Sequence, residues 1–134
     1  MDDQGLVTLE SAFSVSATID RLVAAVGVAG LLVFARIDHA KGAADVGALL
    51  RPTQLLMFGH PRGGTPLMQD RQTAGIDLPL KALVWEDENG RVWLTYDTGT
   101  WISTRHGLGE QSSTAVAAID AGLAKLVAAA TSEA

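Results

Sequence analysis

Apolar and polar positions alternate along residues 6–13, with Val7, Leu9 and Phe13 on one side and Thr8 and Glu10 on the other. A period of two predicts a half-buried strand. Ser14 and Ser16 then offer hydroxyl caps. Ile19, Leu22, Val23 and Val26 recur at helical spacing, which predicts an amphipathic helix of about three turns. Gly30 is placed to end that helix. Residues 31–37 are apolar and rich in branched side chains, which suits a second strand. A short helical turn is expected within 43–49. Arg51-Pro52 favours extended chain, because a residue before proline avoids the α region. The nearly continuous apolar run 54–58 predicts a central strand buried on both faces.

The next stretch, GHPRGGTP at 59–66, is read as a glycine-rich loop. Thr65 followed by Pro66 supplies a hydroxyl cap and a proline at the first helical position, so a short helix is expected over 66–70. Residues 71–80 read as loop. Two strand-like runs within 81–96 flank Asn89-Gly90, the preferred pair for a two-residue hairpin turn. With that turn Glu88 faces Arg91, Trp85 faces Leu94 and Leu83 faces Tyr96. One face then carries Leu83, Trp85, Val92, Leu94 and Tyr96, and the other Val84, Glu86, Glu88, Arg91, Trp93 and Thr95. A short helix is expected over 100–106. Ser112, Ser113 or Thr114 caps the last helix, whose stripe is Val116, Ile119, Leu123, Leu126 and Val127. Its outer face is mostly alanine.

The resulting order is β-α-β-β-β-β-α. An antiparallel sheet with helices packed on one face satisfies it with short connections, so the fold class is α+β. The 134 residues show no repeat, linker or charge block, and one domain is expected over 1–134 with its core within about 6–130.

Composition narrows the function classes. The net charge is −5 and the ten Lys and Arg are scattered singly, which argues against a nucleic-acid partner. No cysteine is present, so thiolate catalysis and sulfur-ligated zinc are excluded. The acidic start MDDQG lacks the features of a signal peptide. The longest unbroken apolar stretch, 22–35, has 14 residues, short of the roughly 20 that span a bilayer. A cytoplasmic protein with no membrane contact is the expectation.

Few residues carry candidate chemistry. A strand feeding a glycine-rich turn and a helix N-terminus gathers backbone N–H groups that suit an anion. Gly59, His60, Arg62, Gly63, Gly64 and Thr65 are therefore candidate ligand contacts; alternatively the glycines serve only a tight turn. The spacing resembles a P-loop, but Thr65 stands where the lysine belongs and Pro66 follows, so a nucleotide triphosphatase is rejected. Lys81 lies on the apolar face of the expected hairpin, where it either snorkels past the sheet edge or meets an anionic ligand. His39, His60 and His106 show no metal-ligand spacing, and no cofactor motif is present. His39 beside Asp38 could serve as a base.

Three segments carry a family resemblance: ARIDHA (35–40), LRPTQLLMFGHPRGGTPLM (50–68) and GIDLPLKALVWEDENGRVWLTY (75–96). Together they resemble the domain-of-unknown-function family 302, over a likeness running from Leu6 to Leu108. The resemblance implies a fold of the TATA-binding-protein-like class and no established activity. Its pattern falls on Asp38, His39, Phe58, Gly59, Pro61, Gly63 or Gly64, Thr65, Pro66, Asp77, Leu78, Pro79 and Lys81. His60 stands where the family more often has asparagine, Arg62 near a usual lysine, and Tyr96-Asp97-Thr98-Gly99 replaces a frequent Tyr-Asn-Asp-Pro. With Asp77 added to the candidate contacts, three expectations follow: a domain binding a small anion, a homodimeric interaction module without ligand, or an enzyme with His39 or Lys81 as base.

Overall fold

The computed structural model describes residues 5–133. Five strands, β1 (Leu6–Ser11), β2 (Leu32–Asp38), β3 (Thr53–Gly59), β4 (Leu80–Glu86) and β5 (Val92–Asp97), form one antiparallel sheet in the order β1-β5-β4-β3-β2. Helices α1 (Val15–Val28), α2 (His39–Asp45), α3 (Pro61–Asp70), α4 (Gly99–His106) and α5 (Ser113–Thr131) punctuate it. Burial alternates along the inner strands. Leu56, Phe58, Ala82, Val84, Leu94 and Tyr96 are buried, while Leu55, Met57, Lys81, Leu83, Trp93 and Thr95 between them are half-buried on the open face. The buried set packs with Ile19, Leu22 and Val26 of α1, Leu67 of α3, Ile102 of α4 and Leu123 and Leu126 of α5. This is the expected α+β class, a sheet with helices on one face.

Local chemistry sets the helix ends. The Ser14 hydroxyl accepts from the Ala17 amide at 3.1 Å and starts α1. Gly30 takes φ 75° just past its end, and the Leu31 amide closes back on the Val26 carbonyl. Arg21 of α1 donates to the carbonyls of Ala129, Ala130 and Ser132, and its guanidinium lies 4.1 Å from the Phe13 ring centre. It thereby ties α1 to the end of α5. The 22 residues Glu110–Thr131 are long and apolar enough to cross a membrane. Asp120 and Lys125 break the run, so run length alone does not register it. Here Val116, Ile119, Leu123, Leu126 and Val127, the expected stripe, are buried in the core.

Three expectations need correction. The β4–β5 turn is not the two-residue type. The Asp87 amide donates to the Arg91 carbonyl, the Gly90 amide donates to the Asp87 carbonyl, and Gly90 takes φ 80°. A three-residue loop with glycine in the left-handed region adds one residue to the turn. The Asp87 carboxylate fixes it by accepting from the Asn89 and Arg91 amides and from Trp93 Nε1. The pairing therefore slips by one, to Trp85↔Trp93 and Val84↔Leu94. Ala82 and Val84 turn to the core, and Lys81, Leu83 and Trp85 to the open face.

The second correction is that β3 is fully buried on one face only: Leu56 and Phe58 are buried, whereas Leu55 and Met57 are half-buried. The third is that the helical turn expected at 43–49 forms at His39–Asp45, where the Asp38 carboxylate accepts the Lys41 amide at 2.9 Å.

Candidate functional site

Gly59 ends β3 with φ 152°, a backbone conformation that side-chain-bearing residues rarely adopt. The chain then enters α3 at once. His60 is the cap, and its Nδ1 accepts from the Arg62 amide at 3.1 Å. Pro61 occupies the first helical position, where its missing N–H is harmless. The Gly63 and Gly64 amides donate to the His60 carbonyl at 2.9 and 3.2 Å. The expected 59–66 loop with its helix at Pro66 is thus a helix from Pro61 onward. His60-Pro61 performs the cap-then-proline role expected of Thr65-Pro66, five residues earlier. The amides that the loop reading offers to an anion are used within the helix. Pro66 sits inside α3 and leaves the Arg62 carbonyl without its helical donor.

What this segment does build is the wall of a groove. Between α1, α3 and α5 lies a space of about 1210 Å³. Glycine and alanine on the facing surfaces, among them Ala25, Gly63, Gly64, Ala118 and Gly122, leave it unfilled. Val28, Phe34, Met68 and Leu126 add apolar surface. Its charged lining residues are Arg21, Arg62 and Lys125; no Asp or Glu lines it, and His60 adds an imidazole. Arg21 is engaged by the end of α5. Arg62 and Lys125 are exposed, and among the described residues neither side chain has an ion-pair partner.

Of the sequence candidates, Gly59, His60, Arg62, Gly63, Gly64 and Thr65 line this groove, while His39, Asp77 and Lys81 do not. His39 is exposed at the start of α2. Lys81 pairs across from Met57 on the open face, which puts the sheet between it and the helix layer. Asp38, the neighbour of His39, caps α2 by accepting the Lys41 amide, and Asp77 is engaged by Arg105 and His106. Lys125, which completes the cationic lining, is in the last helix and carries no local signal.

Asp77 belongs to a second polar group. Its carboxylate accepts from Arg105 at 3.0 and 3.2 Å and contacts His106 Nε2 at 2.6 Å. His106 Nδ1 lies 3.1 Å from the Thr73 hydroxyl. Hydroxyl, imidazole and carboxylate follow one another as in a nucleophilic triad. Arg105, however, shares the carboxylate, and Thr73, Asp77 and His106 all lie outside the groove lining. The group fastens α4 to the 3₁₀ turn Gln72–Asp77. Other carboxylates have similar duties. Asp120 accepts from the Gly99 and Thr100 amides and starts α4. Asp70 accepts from the Ser112 hydroxyl and the Gly109 amide, which hold its carboxyl below the usual range. Trp93 Nε1 does the same for Asp87, assisted by the turn amides. Burial, then the nearby Asp120, pushes the Tyr96 phenol up.

Comparison with known proteins places the chain. Residues 7–129 match a family described as a domain of unknown function, DUF302. The chain is 49% identical over 120 residues to proteins named fluoride-specific ion channel FluC 1 in Brucella suis biovar 1 and Brucella abortus biovar 1. That match covers 90% of this chain but 47% and 44% of those proteins, so the chain spans about half their length. A crystal structure of an uncharacterized conserved DUF302 protein from Bacillus stearothermophilus superposes with a TM-score of 0.73 over 95% of both chains, at 20% identity. The fold is therefore shared at low identity. With 123 of its 134 residues inside the match, the chain belongs to the DUF302 family.

Proposed function

We propose that this is a ligand-binding domain whose site is the groove between α1, α3 and α5, and that its ligand is an amphipathic anion. The carrying observation is the lining: about 1210 Å³ of largely apolar space whose charged side chains are all cationic, in a chain of net charge −5. Ligand sites are concave and mostly apolar, with a few polar groups that fix orientation. A volume above the usual range of about 300–1,000 Å³ suits an elongated apolar body. That body would lie against Val28, Met68 and Leu126, with its negative end toward Arg62 and Lys125. The anion of the sequence reading is kept, but side-chain cations receive it instead of loop amides. Calorimetric titration with dodecanoate tests this. Saturable binding, weakened about tenfold or more for the uncharged dodecanol, is expected; a ligand pair bound equally, or no binding, rejects the reading.

The Brucella proteins favour a second, compatible reading. They carry a stretch like this chain together with a comparable length of other sequence, under the name of an ion channel. We propose that the domain serves a membrane transport protein as an accessory part. Removing the matching stretch from a Brucella channel should change fluoride efflux from vesicles, and unchanged efflux would dispose of the idea.

A further inference from the structure

Gly122 stands at the centre of α5, nine residues from Ser113 and nine from Thr131. In a helix interior only proline is less favourable than glycine, and the rest of α5 is rich in alanine. Packing does not call for this glycine. A Cβ placed on Gly122 would meet nothing in the surrounding fold within 4 Å. Other glycines have a structural reason. A Cβ on Gly99 would lie 3.0 Å from Ile119 Cγ2, one on Gly75 would lie 3.1 Å from Met68 Sδ, and Gly30 and Gly90 take positive φ. Gly27, Gly42 and Gly63 also have open space, but each lies within one turn of a helix end, outside the helix interior where glycine is most unfavourable.

The open space at Gly122 belongs to the groove. Ala115, Ala118, Gly122 and Lys125 all line it, and their spacing of three and four puts them on one face of α5. The walls on either side are pinned to opposite ends of that helix. Arg21 of α1 holds the carbonyls of Ala129, Ala130 and Ser132, and Asp70 at the end of α3 holds the Ser112 hydroxyl at 2.7 Å. Between those two pins α5 is the floor. Met68 lies beside the pinned end of α3, toward Ser112, and Arg62 lies at its other end.

We propose that Gly122 is the specificity-determining residue of the groove, a proposal that rests on the groove being the ligand site. With its negative end at Lys125 and Arg62, the ligand's apolar chain passes directly over the α5 backbone at Gly122 and runs on toward Ala115 and Met68. The ten residues from Lys125 to Ala115 give it about 15 Å of floor. The class of ligand is therefore a long, slender, single-chain anion, and a side chain at position 122 stands in its path. A helix-weakening residue that the fold does not use is explained by the room it leaves.

Calorimetric titration with octanoate and dodecanoate tests this in the wild type, Gly122→Ala, Gly122→Leu and Ala128→Leu. Ala128 is exposed on α5 and outside the groove lining. A fully buried methylene contributes about fourfold in affinity, so wild type and Ala128→Leu should bind dodecanoate at least about 30-fold more tightly than octanoate. In Gly122→Leu the two acids should bind alike, within about threefold, because the longer chain finds no further floor. Gly122→Ala should melt about 2–5 °C higher than wild type and bind dodecanoate about fivefold more weakly. A wild type that binds neither acid defeats the ligand-binding reading, and this proposal with it. A wild type that binds, beside a Gly122→Leu that keeps the full chain-length dependence, leaves that reading standing and overturns the role of Gly122. So does an equal loss in Ala128→Leu, or a lowered melting temperature in Gly122→Ala, which would mean that the fold itself needs the glycine.

Discussion

Two groups of basic side chains belong to the helix layer, and their surroundings are opposite. Arg105 and His106 converge on one buried carboxylate, Asp77, within 3.2 Å. Arg62 and Lys125 look across a groove of about 1210 Å³ with no acid in its lining. The first group is self-contained: the Arg105 charge is paired with Asp77 within the chain, and the cluster holds α4 in place. The second has its charges left over. Charges neutralised by the fold describe how the chain is held together, whereas charges left unneutralised around an apolar hollow describe what it can receive.

The largest effect that would break this contrast is expected at Asp77. Asp77→Ala leaves Arg105 and His106 without their acceptor in a partly buried place, and should cost on the order of 3 kcal/mol in urea unfolding. Dodecanoate affinity should survive in whatever fraction stays folded. A loss below about 0.5 kcal/mol would mean the cluster holds nothing.

Gly90→Ala comes next. With φ 80° at this position, a side chain should cost about 1–2 kcal/mol.

Acid supplies a gentler perturbation. The folded-state carboxyls of Asp70 and Asp87 are held low by Ser112 and Trp93. Their contribution is therefore present above the unfolded value of about 3.9 and is lost as pH falls through the lower folded value. Tyr96, raised by burial, works at the other end: its contribution is present below its unfolded value of about 10 and is lost above it. Melting temperature should accordingly fall at both extremes, and the acid-side loss should shrink in Ser112→Ala.

The smallest effect on stability is expected from the double substitution Arg62→Ala with Lys125→Ala, within about 0.5 kcal/mol of wild type. The same variant should bind dodecanoate about tenfold or more weakly. The two sets thus predict opposite outcomes: stability lost with binding kept, and binding lost with stability kept.

The sequence reading and the structure part company for identifiable reasons. Apolar periodicity was enough for all five strands, α1, α5 and the one-sided layering, because each stripe is local and strong. It failed at the β4–β5 turn because Asn89-Gly90 suits either of two turns, and the deciding hydrogen bonds come from Asp87, outside the dipeptide. It placed α3 five residues late because two cap-then-proline pairs, His60-Pro61 and Thr65-Pro66, compete within eight residues. Six of the nine candidate contacts meet at the groove since they are consecutive on one segment. The remaining lining was illegible: Lys125 lies in α5, more than sixty positions from Arg62, and only the helix packing brings them to one hollow. Asp77 and His106, 29 positions apart, are joined by the tertiary fold in the same way.

The most direct test of the groove is a nitrogen-15 amide NMR titration with dodecanoate, read at the glycines. Gly63, Gly64, Gly75 and Gly122 line the groove, whereas Gly90, Gly99 and Gly109 do not. Saturable shifts confined to the first group, absent in the Arg62→Ala, Lys125→Ala variant, are the predicted result. Shifts centred on Gly90 and the open face of the sheet, or no shift at any glycine, would contradict the account.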